Sequence, residues 1–301
     1  MAGTKEVKRR IKSVTSTQKI TKAMELVAAS KMKRAVASTL ASRLYAEYSW
    51  EVLTSINKNI EEITHPLFVE REVKNILLVL ITSNRGLCGS YNVQIIKKAL
   101  GLLKDQGANL DVITIGRKGD LAMRRLGKKV LASFFELPDR IAISDVVPIS
   151  KLLIDEYSLG RYDRILIAYT DFISSLRQVS NLKQLLPVSR ADLKELIDSH
   201  LEAGLPDGSP TSKSRKINYL VEGDKEKLIG SLADKLTRMQ IYQMLLESNA
   251  SEQSARMVAM KNASDASKDM IDDLSLVFNK ARQANITREI SEISAGMASV
   301  S

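Results

Sequence analysis

The chain has 301 residues, of which 44% are hydrophobic and 27% charged, and it carries a net charge of +10 at pH 7. This length allows two domains or one elongated domain, and the lack of any apolar run near about 18 residues excludes a membrane span. The single cysteine, Cys88, excludes an internal disulfide and is typical of a reducing compartment. The first residues lack the apolar stretch of a secretory signal, so we expect none.

Glycine and proline divide the chain into three parts. All six prolines and twelve of the fourteen glycines lie between Pro66 and Gly230. Both residues interrupt helices, glycine through its backbone freedom and proline through its missing N–H group. The sequence therefore predicts a helical N-terminal arm over 1–65, a compact middle domain over 66–223 and a helical C-terminal arm over 224–301.

The N-terminal arm is predicted to be helical up to Pro66, which ends it. Its apolar residues recur at helical spacing: Val7, Ile11, Val14, Ile20, Met24, Val27, Leu40, Leu44, Ile56, Ile60 and Ile63. Its first 43 residues carry eleven cations and two anions, an excess close to the net charge of the whole chain. Such a basic arm predicts an acidic partner, which charge alone leaves open among nucleic acid, anionic lipid and protein. Tyr45 and Trp50 are expected to pack near the middle domain.

The middle segment alternates between strand and helix patterns. Apolar runs predict strands, and periodic runs predict helices, in this order: strand 75–82, helix 93–104, strand 110–115, helix 117–126, a short apolar piece 129–132, helix 145–157, strand 164–170 and an edge strand 179–188. This alternation predicts an α/β domain with a small, mostly parallel sheet covered by helices. Residues 201–214, with two glycines and two prolines, are expected to form a loop or insertion.

The C-terminal arm carries a heptad pattern and has no glycine or proline between Ser231 and Ala295. One seam position holds Leu236, Ala250, Met257, Ile271 and Phe278, with Gln243 and Ser264 between them. The other holds Met239, Leu246, Met260, Leu274 and Ala281, with Gln253 and Ser267 between them. Seven heptads predict one long coiled-coil helix, roughly 100 Å at about 1.5 Å per residue. Asp224 is expected to cap its start.

The two arms are expected to pair as an antiparallel coiled coil, because both connect to the middle domain. The C-terminal arm is longer by about 11 residues, or roughly 17 Å, so it should extend past its partner from near Gln283. Ile286, Ile290 and Ile293 form an apolar stripe on this overhang, which predicts a sleeve supplied by another protein. The polar and small seam residues weaken the pair. Either a surrounding partner supplies the missing stabilisation, the interpretation we favour, or the twist of the seam serves function.

No pattern in the sequence predicts an active site. The segments 84–91 and 116–119 follow strands, but neither has the glycine spacing and lysine of a phosphate-binding loop, so we interpret both as tight strand-to-helix turns. Cys88 has no histidine motif near it, since His65 and His200 lie at the ends of elements. No histidine–cysteine cluster has metal-binding spacing. We therefore predict a non-catalytic chain without cofactor or metal.

Both arms carry long and specific motifs. The N-terminal motif is Thr17-Gln-Lys-Ile-Thr-Lys-Ala-Met-Glu-Leu-Val-Ala-Ala-Ser-Lys-Met32. The C-terminal motifs are Glu252-Gln-Ser-Ala-Arg-Met-Val-Ala-Met-Lys-Asn-Ala263 and Ile286-Thr-Arg-Glu-Ile-Ser-Glu-Ile293, and the middle contains Arg85-Gly-Leu-Cys-Gly89 and Leu185-Leu-Pro187. In these motifs, which extend over nearly the whole chain, the sequence resembles the gamma subunit of F-type rotary ATP synthases.

The resemblance implies a central rotor shaft, present once per complex: an antiparallel coiled coil inside a ring of three alpha and three beta subunits, with a Rossmann-like domain at its foot. It implies that the chain couples ion flow through the membrane c-ring to ATP synthesis or hydrolysis in neighbouring subunits. Contacts with alpha and beta subunits are implied for Lys22, Met24, Arg256, Arg282, Gln283, Ile286, Ile290 and Ile293. Contacts of the foot with the epsilon subunit and the c-ring are implied for Cys88, Tyr219 and Glu222.

Some features depart from the family pattern. Asn84 and Ser90 stand where the family often has Asp and Gly, so local contacts of the foot are expected to differ. The paired regulatory cysteines of chloroplast gamma chains are absent, which argues against thiol regulation. Without a transit peptide the chain looks bacterial, with a mature organellar form as the alternative, and we expect a peripheral protein at the cytoplasmic face of the plasma membrane.

Two other classes of function remain open at this point. A nucleic-acid-binding coiled coil would use the basic N-terminal arm and would show steep salt dependence. An α/β nucleotide enzyme would require the middle domain to bind nucleotide by itself.

Overall fold

A computed structural model describes residues 4–57, 66–69, 71–105, 109–135, 137–187 and 225–298. The chain divides into two compact units. The helical unit contains residues 1–30 and 256–301, and the sheet unit contains residues 31–255. Two long helices, α1 (Thr4–Asn57) and α5 (Lys225–Ala298), each contribute to both units.

The sheet unit is built on a five-stranded sheet of order β3-β2-β1-β4-β5. The strands are β1 (Asn75–Ile81), β2 (Asn109–Ile115), β3 (Val130–Phe134), β4 (Arg164–Phe172) and β5 (Gln178–Leu186). The first four are parallel, and β5 pairs antiparallel with β4 at the edge. The helices between them are α2 (Tyr91–Asp105), α3 (Arg117–Arg125) and α4 (Ile143–Ser158), and a short 3₁₀ turn spans Pro66–Phe68. The predicted mostly parallel sheet is confirmed, and the predicted edge strand is β5, whose antiparallel direction the sequence did not predict.

Strand β1 is apolar throughout because both of its faces are covered. Ile76, Leu78 and Leu80 enter one core, which α2 and α3 close with Ile95, Ala99 and Met123. Leu77, Val79 and Ile81 enter the other core, which α4 and α5 close. Such two-sided burial is what gives parallel strands continuous rather than alternating apolar sequences.

Helix α5 is part of the sheet unit before it enters the helical unit, which the heptad pattern did not predict. Its contribution to the second core is Ala233, Ile241, Met244, Leu245 and Leu246. The seam residues Gln243, Ala250 and Gln253, which we expected to lie in a weakened coiled coil, therefore belong to the sheet unit. Ala250 is fully buried and Gln253 is 7% exposed there. This chain therefore buries two of the three positions itself, whereas the favoured interpretation that a surrounding partner supplies the missing stabilisation stays a prediction.

The helical unit is a coiled coil of the two termini. Seam positions on α1 are buried or half-buried: Val7, Ile11, Val14, Gln18, Thr21, Glu25 and Ala28. The same holds on α5 for Met257, Met260, Ser264, Ser267, Ile271, Leu274, Phe278 and Ala281. The described residues of this unit are all helical, so the two seams are covered by each other, and the helices run antiparallel. The predicted heptad frame is confirmed on α5. On α1, Ile20 and Val27 lie off the seam and are 60% and 57% exposed.

Several predicted features lie outside the described residues. These are the loop 201–214, the capping residue Asp224, the boundaries of the middle domain at 65 and 223, His65, His200, Tyr219 and Glu222. Tyr45 and Trp50 lie within α1, but their side chains are not described. Searched over the described residues, the helices include none with the length and apolarity needed to cross a membrane.

We expect Asp163→Ala to lower the free energy of unfolding of the sheet unit by about 1.5 kcal/mol at neutral pH. The carboxylate of Asp163 accepts hydrogen bonds from the backbone N–H groups of Lys74 (2.9 Å) and Asn75 (2.8 Å) at the start of β1. Burial by itself would raise the pKa of Asp163, but these N–H groups and nearby Arg71 and Lys74 lower it.

Since the pKa of Asp163 is lower in the folded than in the unfolded protein, this contribution is full above about pH 4 and disappears as pH falls through the lowered pKa. Urea unfolding of both proteins from neutral pH downward measures the difference. A difference that stays constant into acid would contradict the assignment, and Asp163→Asn, which keeps an acceptor oxygen, is the milder control.

Candidate functional site

The turn between β1 and α2 is held by side-chain hydrogen bonds. Asn92 accepts from the backbone N–H of Ser83 (3.0 Å), and its amide donates to Ser83 Oγ (2.7 Å) and to Cys88 Sγ (3.1 Å). The Ser83 hydroxyl donates to the carbonyl of Arg85 at 2.6 Å. Leu87 has a left-handed backbone with a φ of 64° and is 61% exposed. The network therefore fixes a turn that presents a leucine, rather than the cysteine, to solvent.

Cys88 itself is 2% exposed, so its thiol is not available for a subunit contact. The prediction of a foot contact at this turn, which was assigned to Cys88, can be met only by its exposed neighbours such as Leu87. Tyr219 and Glu222, the other two residues of that predicted contact, lie outside the described residues.

The start of α3 has no N–H group free for a phosphate. Its first three N–H groups all have protein acceptors: Arg117 donates to Asn84 Oδ1 (3.1 Å), Lys118 to the Ser83 carbonyl (3.1 Å) and Gly119 to Thr82 Oγ1 (2.8 Å). A helix N-terminus binds anions through exactly such groups when they are unoccupied. This geometry argues against a nucleotide site at the segment 116–119, which is a strand-to-helix turn as predicted.

The resolved pKa shifts all move groups away from neutrality. Burial raises the pKa of Tyr91, with a further contribution from Glu252, and burial also raises the pKa of Tyr169. Burial would raise the pKa of Asp120, but hydrogen bonds from Arg124 and Ser133 lower it. A general acid or base works best with a pKa near the working pH, so these residues have structural roles. Among the described residues, no group of three or more His, Cys, Asp or Glu side chains is placed to hold a metal.

The first candidate contact surface is on α1 in the helical unit. Lys22 is exposed and binds Glu25 at 2.9 Å, and Met24 is half-buried. Ile20 and Val27, which the spacing placed with the seam residues, are exposed beside them, and so is Leu26 at 61%. Apolar side chains grouped on a solvated face are typical of interaction sites. Their exposure follows from the heptad frame, because none of the three falls on a seam position.

The second candidate surface is on α5 in the same unit. Arg282 and Gln283 are exposed, whereas Arg256 is half-buried and already interacts within the protein. Three further apolar residues, missed by the sequence prediction, are at least half exposed: Met270, Leu276 and Val277. These three residues also lie off the seam. A search of the sequence for apolar residues outside the seam positions would have identified them.

The end of α5 carries the third candidate surface. Asn285 is the last half-buried residue of α5, and each described position from Ile286 to Ala295 is exposed. Ile286, Ile290 and Ile293 are 48%, 59% and 64% exposed. This is the pattern expected of an apolar stripe that the described part of the chain leaves uncovered.

Comparison with known proteins identifies the family. A sequence model of the family described as ATP synthase matches residues 3–300. The ATP synthase gamma chain of Legionella pneumophila (strain Corby) is 36% identical over 304 residues, covering 100% of both chains. A chain of the Tetrahymena thermophila mitochondrial ATP synthase central stalk and c-ring is 27% identical, with a TM-score of 0.59 over 81% of this chain and 99% of that one. A chain from the Euglena gracilis mitochondrial ATP synthase, OSCP/F1/c-ring, has a TM-score of 0.67 at 17% identity over 99% of this chain and 94% of that one, which shows the shared fold. The match along the full length, with the sheet and paired helices described above, shows that this chain belongs to the ATP synthase gamma-chain family.

Proposed function

We propose that this protein is the central-stalk rotor of a proton-translocating F-type ATP synthase, transmitting rotation between a membrane c-ring and a ring of alpha and beta subunits. The observation that carries the proposal is the surface of the helical unit. Its seam is already closed within the chain, yet both helices still expose large apolar residues. Exposed apolar surface of this kind fits a protein that works inside a surrounding assembly.

The helical unit also has two chemically different sides. Residues 4–30 carry seven cations and two anions, whereas residues 256–298 carry six of each. A ring around this unit meets a basic helix on one side and a helix of balanced charge on the other. When the unit turns, each catalytic site meets the two sides in succession. A rotor can shift a site between conformations only through contacts that differ between them, and this asymmetry supplies such a difference.

The remaining partners follow from the same role. The sheet unit would form the foot, contacting the epsilon subunit and the c-ring through surfaces that include the Leu87 turn. Membership of the ATP synthase family favours protein over nucleic acid as the acidic partner of the basic helix. The chain would be non-catalytic, with the chemistry in the neighbouring subunits, and peripheral at the cytoplasmic face of a bacterial membrane.

Reconstitution from separately purified alpha and beta subunits tests this proposal. Addition of this chain should convert them into a complex that hydrolyses ATP continuously, and a bead attached to the sheet unit should rotate in one direction. A chain that leaves the subunits unassembled, or a complex that hydrolyses ATP while the bead stays still, would refute the rotor assignment.

We expect Arg282→Glu to reduce ATP-driven proton pumping by about fivefold at a given rate of ATP hydrolysis, the effect of about 1 kcal/mol of lost coupling. Arg282 is exposed on α5, so its reversal should alter a contact with the ring without changing the fold. Pumping into membrane vesicles and hydrolysis are measured on the same preparation. Lys97→Glu, the same charge change at an exposed site on α2, should leave the ratio unchanged. Equal ratios for the two variants would count against Arg282 as a contact.

A further inference from the structure

Three serines line the last turns of α5 within the sheet unit. Ser248, Ser251 and Ser254 are spaced by three residues, and the unit ends at Ala255. They are 1%, 0% and 0% exposed, so they lie among protein atoms rather than in solvent. Serine weakly disfavours a helix interior, because its hydroxyl competes for backbone hydrogen bonds. Three buried serines in one helical row therefore require a tertiary explanation.

Each serine hydroxyl bonds to backbone at the end of β4 or in the turn that follows it. Ser248 Oγ accepts from the N–H of Thr170 at 3.0 Å, and Ser251 Oγ donates to the carbonyl of Thr170 at 3.2 Å. Ser254 Oγ donates to the carbonyl of Ser175 at 2.6 Å and accepts from Gln178 at 3.3 Å. Both backbone groups of one sheet residue are thus held by one helix.

The three serines therefore act on one part of the sheet unit. The end of β4 and the turn after it are joined to the last turns of α5 by a row of fixed polar contacts.

These contacts differ from the rest of the α5 interface in their directionality. Apolar packing is non-directional and lets a helix adjust by small rotations, whereas a short hydrogen bond holds only over a narrow range of angle. Ser248 and Ser254 lie six residues apart, or about 9 Å along the helix axis, so the row fixes α5 at two separated points. Among the other α5 side chains that reach the unit, three bond at 3.4 Å each: Arg238 to Ser150, Tyr242 to Ile141 and Asn249 to Asp139.

We infer that Ser248, Ser251 and Ser254 form a torsional anchor, which fixes the rotation of α5 about its own axis relative to the sheet. The inference rests on the proposed rotor function, in which torque enters through the sheet unit and leaves along the helical unit. Like α1, α5 is one continuous helix that contributes to both units, so the share of a rotation that passes along α5 depends on how firmly the sheet unit holds this helix. The anchor lies on the last turns of the sheet unit, where slip would otherwise begin.

The test compares two matched double variants in the assembled ATP synthase. Ser248→Ala/Ser254→Ala removes one hydroxyl at each fixed point of the anchor. Ser267→Ala/Ser275→Ala removes two hydroxyls from the same helix that donate only to the carbonyls of Ala263 and Ile271, four residues earlier, both at 2.7 Å. The two variants make the same chemical change, and only the first removes bonds to another element.

The contact itself is tested by hydrogen exchange. The amide of Thr170 should exchange about five- to tenfold faster in Ser248→Ala/Ser254→Ala than in the wild type or the control, which is the loss of about one hydrogen bond. An unchanged rate would show that the Ser248 bond does not exist in solution. If the double variant does not fold, Ser254→Ala alone, followed at the amides around Ser175, replaces it.

The mechanical role is tested by holding the alpha–beta ring on a surface and recording the angular fluctuation of a bead on the sheet unit while the rotor is stalled. The variance should be about twofold larger in the anchor variant than in the control, because the variant loses the directional bonds of Ser248 and Ser254 and keeps only that of Ser251. ATP hydrolysis should stay the same in both. Equal variances would overturn the anchor, whereas a wild-type complex that never rotates would overturn the proposed function instead.

Discussion

Gly116→Ala should destabilise the sheet unit by about 4 kcal/mol or more, the largest effect we expect from a single substitution in this protein. Gly116 follows β2 and begins α3 with a φ of 99°, a conformation that L side chains rarely adopt. A Cβ atom there would lie 2.1 Å from the carbonyl oxygen and 2.7 Å from the carbonyl carbon of Thr82. Both are backbone atoms, so a change of side-chain rotamer cannot relieve the clash.

The surrounding backbone also cannot move easily. The Gly116 N–H donates to the carbonyl of Phe134 at 2.9 Å, and the Thr82 N–H donates to the carbonyl of Ile115 at 2.8 Å. These bonds join the ends of β1, β2 and β3 around the glycine. Relief of the clash would therefore break hydrogen bonds on neighbouring strands.

Substitutions at two other glycines distinguish the cost of the positive φ from the cost of the close contact with Thr82. Gly127 has a φ of 67° but open space around the missing Cβ, so Gly127→Ala should cost only about 1–2 kcal/mol. Gly101, inside α2, has nothing within 4 Å, so Gly101→Ala should stabilise the protein by about 0.5–1 kcal/mol.

The reaction of Cys88 with a thiol reagent measures opening of the sheet unit, because this only cysteine of the chain is buried there. For Gly116→Ala the rate should rise by about a thousandfold, the equivalent of about 4 kcal/mol. A rate within tenfold of that of Gly127→Ala would mean that Thr82 can move away, and the close-contact explanation would be wrong.

The second large effect is expected at the end of α5. Replacing Ile286, Ile290 and Ile293 together by serine should weaken binding to the alpha–beta ring by about 4 kcal/mol, or roughly a thousandfold. Full burial of an isoleucine contributes about 1.5–3 kcal/mol, and about half of each side chain is still exposed in the chain alone. All three are 48% to 64% exposed in the chain alone, so the substitutions should leave its own unfolding unchanged. Titration of the purified ring with labelled chain measures the affinity.

Leucine at the same three positions is the matched control. It keeps the apolar stripe and should bind within about tenfold of the wild type, because volume-conserving apolar exchanges are tolerated best. If the serine and leucine variants bound equally well, the stripe would not lie in an apolar sleeve, and the contact would have to involve other residues.

The periodic parts of this fold were predictable because burial imposes a period on the sequence. The heptads from Leu236 to Ala281 describe one face of a real helix, and apolar runs such as 75–82 mark strands covered on both faces. The edge strand was also recognised, although not its antiparallel direction, and so was the strand-to-helix turn at Gly116. Each of these features is local, or repeats along the chain.

The missed features depend on which element a residue meets. The seam residues of α5 look alike before and after Ala255, yet the earlier ones face the sheet unit and the later ones face α1. The tertiary contacts of Ser248 and Ser251 could not be predicted, because their partner, Thr170, is far away in sequence. Only the spacing of the serines by three residues hinted at a common face.

The contact surfaces were predicted only in part. Arg282, Gln283 and the isoleucines near the end of α5 are exposed as a contact requires, and their contacts stay predictions. Cys88 was placed on the foot surface through its motif, whereas the Asn92 network turns it inward. A motif locates the turn, and the hydrogen bonds decide which of its side chains faces out.

The helical unit joins residues 4–30 to residues 256–298, so its two helices are synthesised at very different times during translation. The apolar seam of Val7, Ile11 and Val14 emerges from the ribosome at least about 240 residues before the α5 segment that covers it, or roughly 12–48 s earlier at about 5–20 residues per second. Throughout that interval the nascent chain carries an uncovered amphipathic helix. Early engagement by a holding chaperone should therefore decide how much of the newly made chain escapes aggregation.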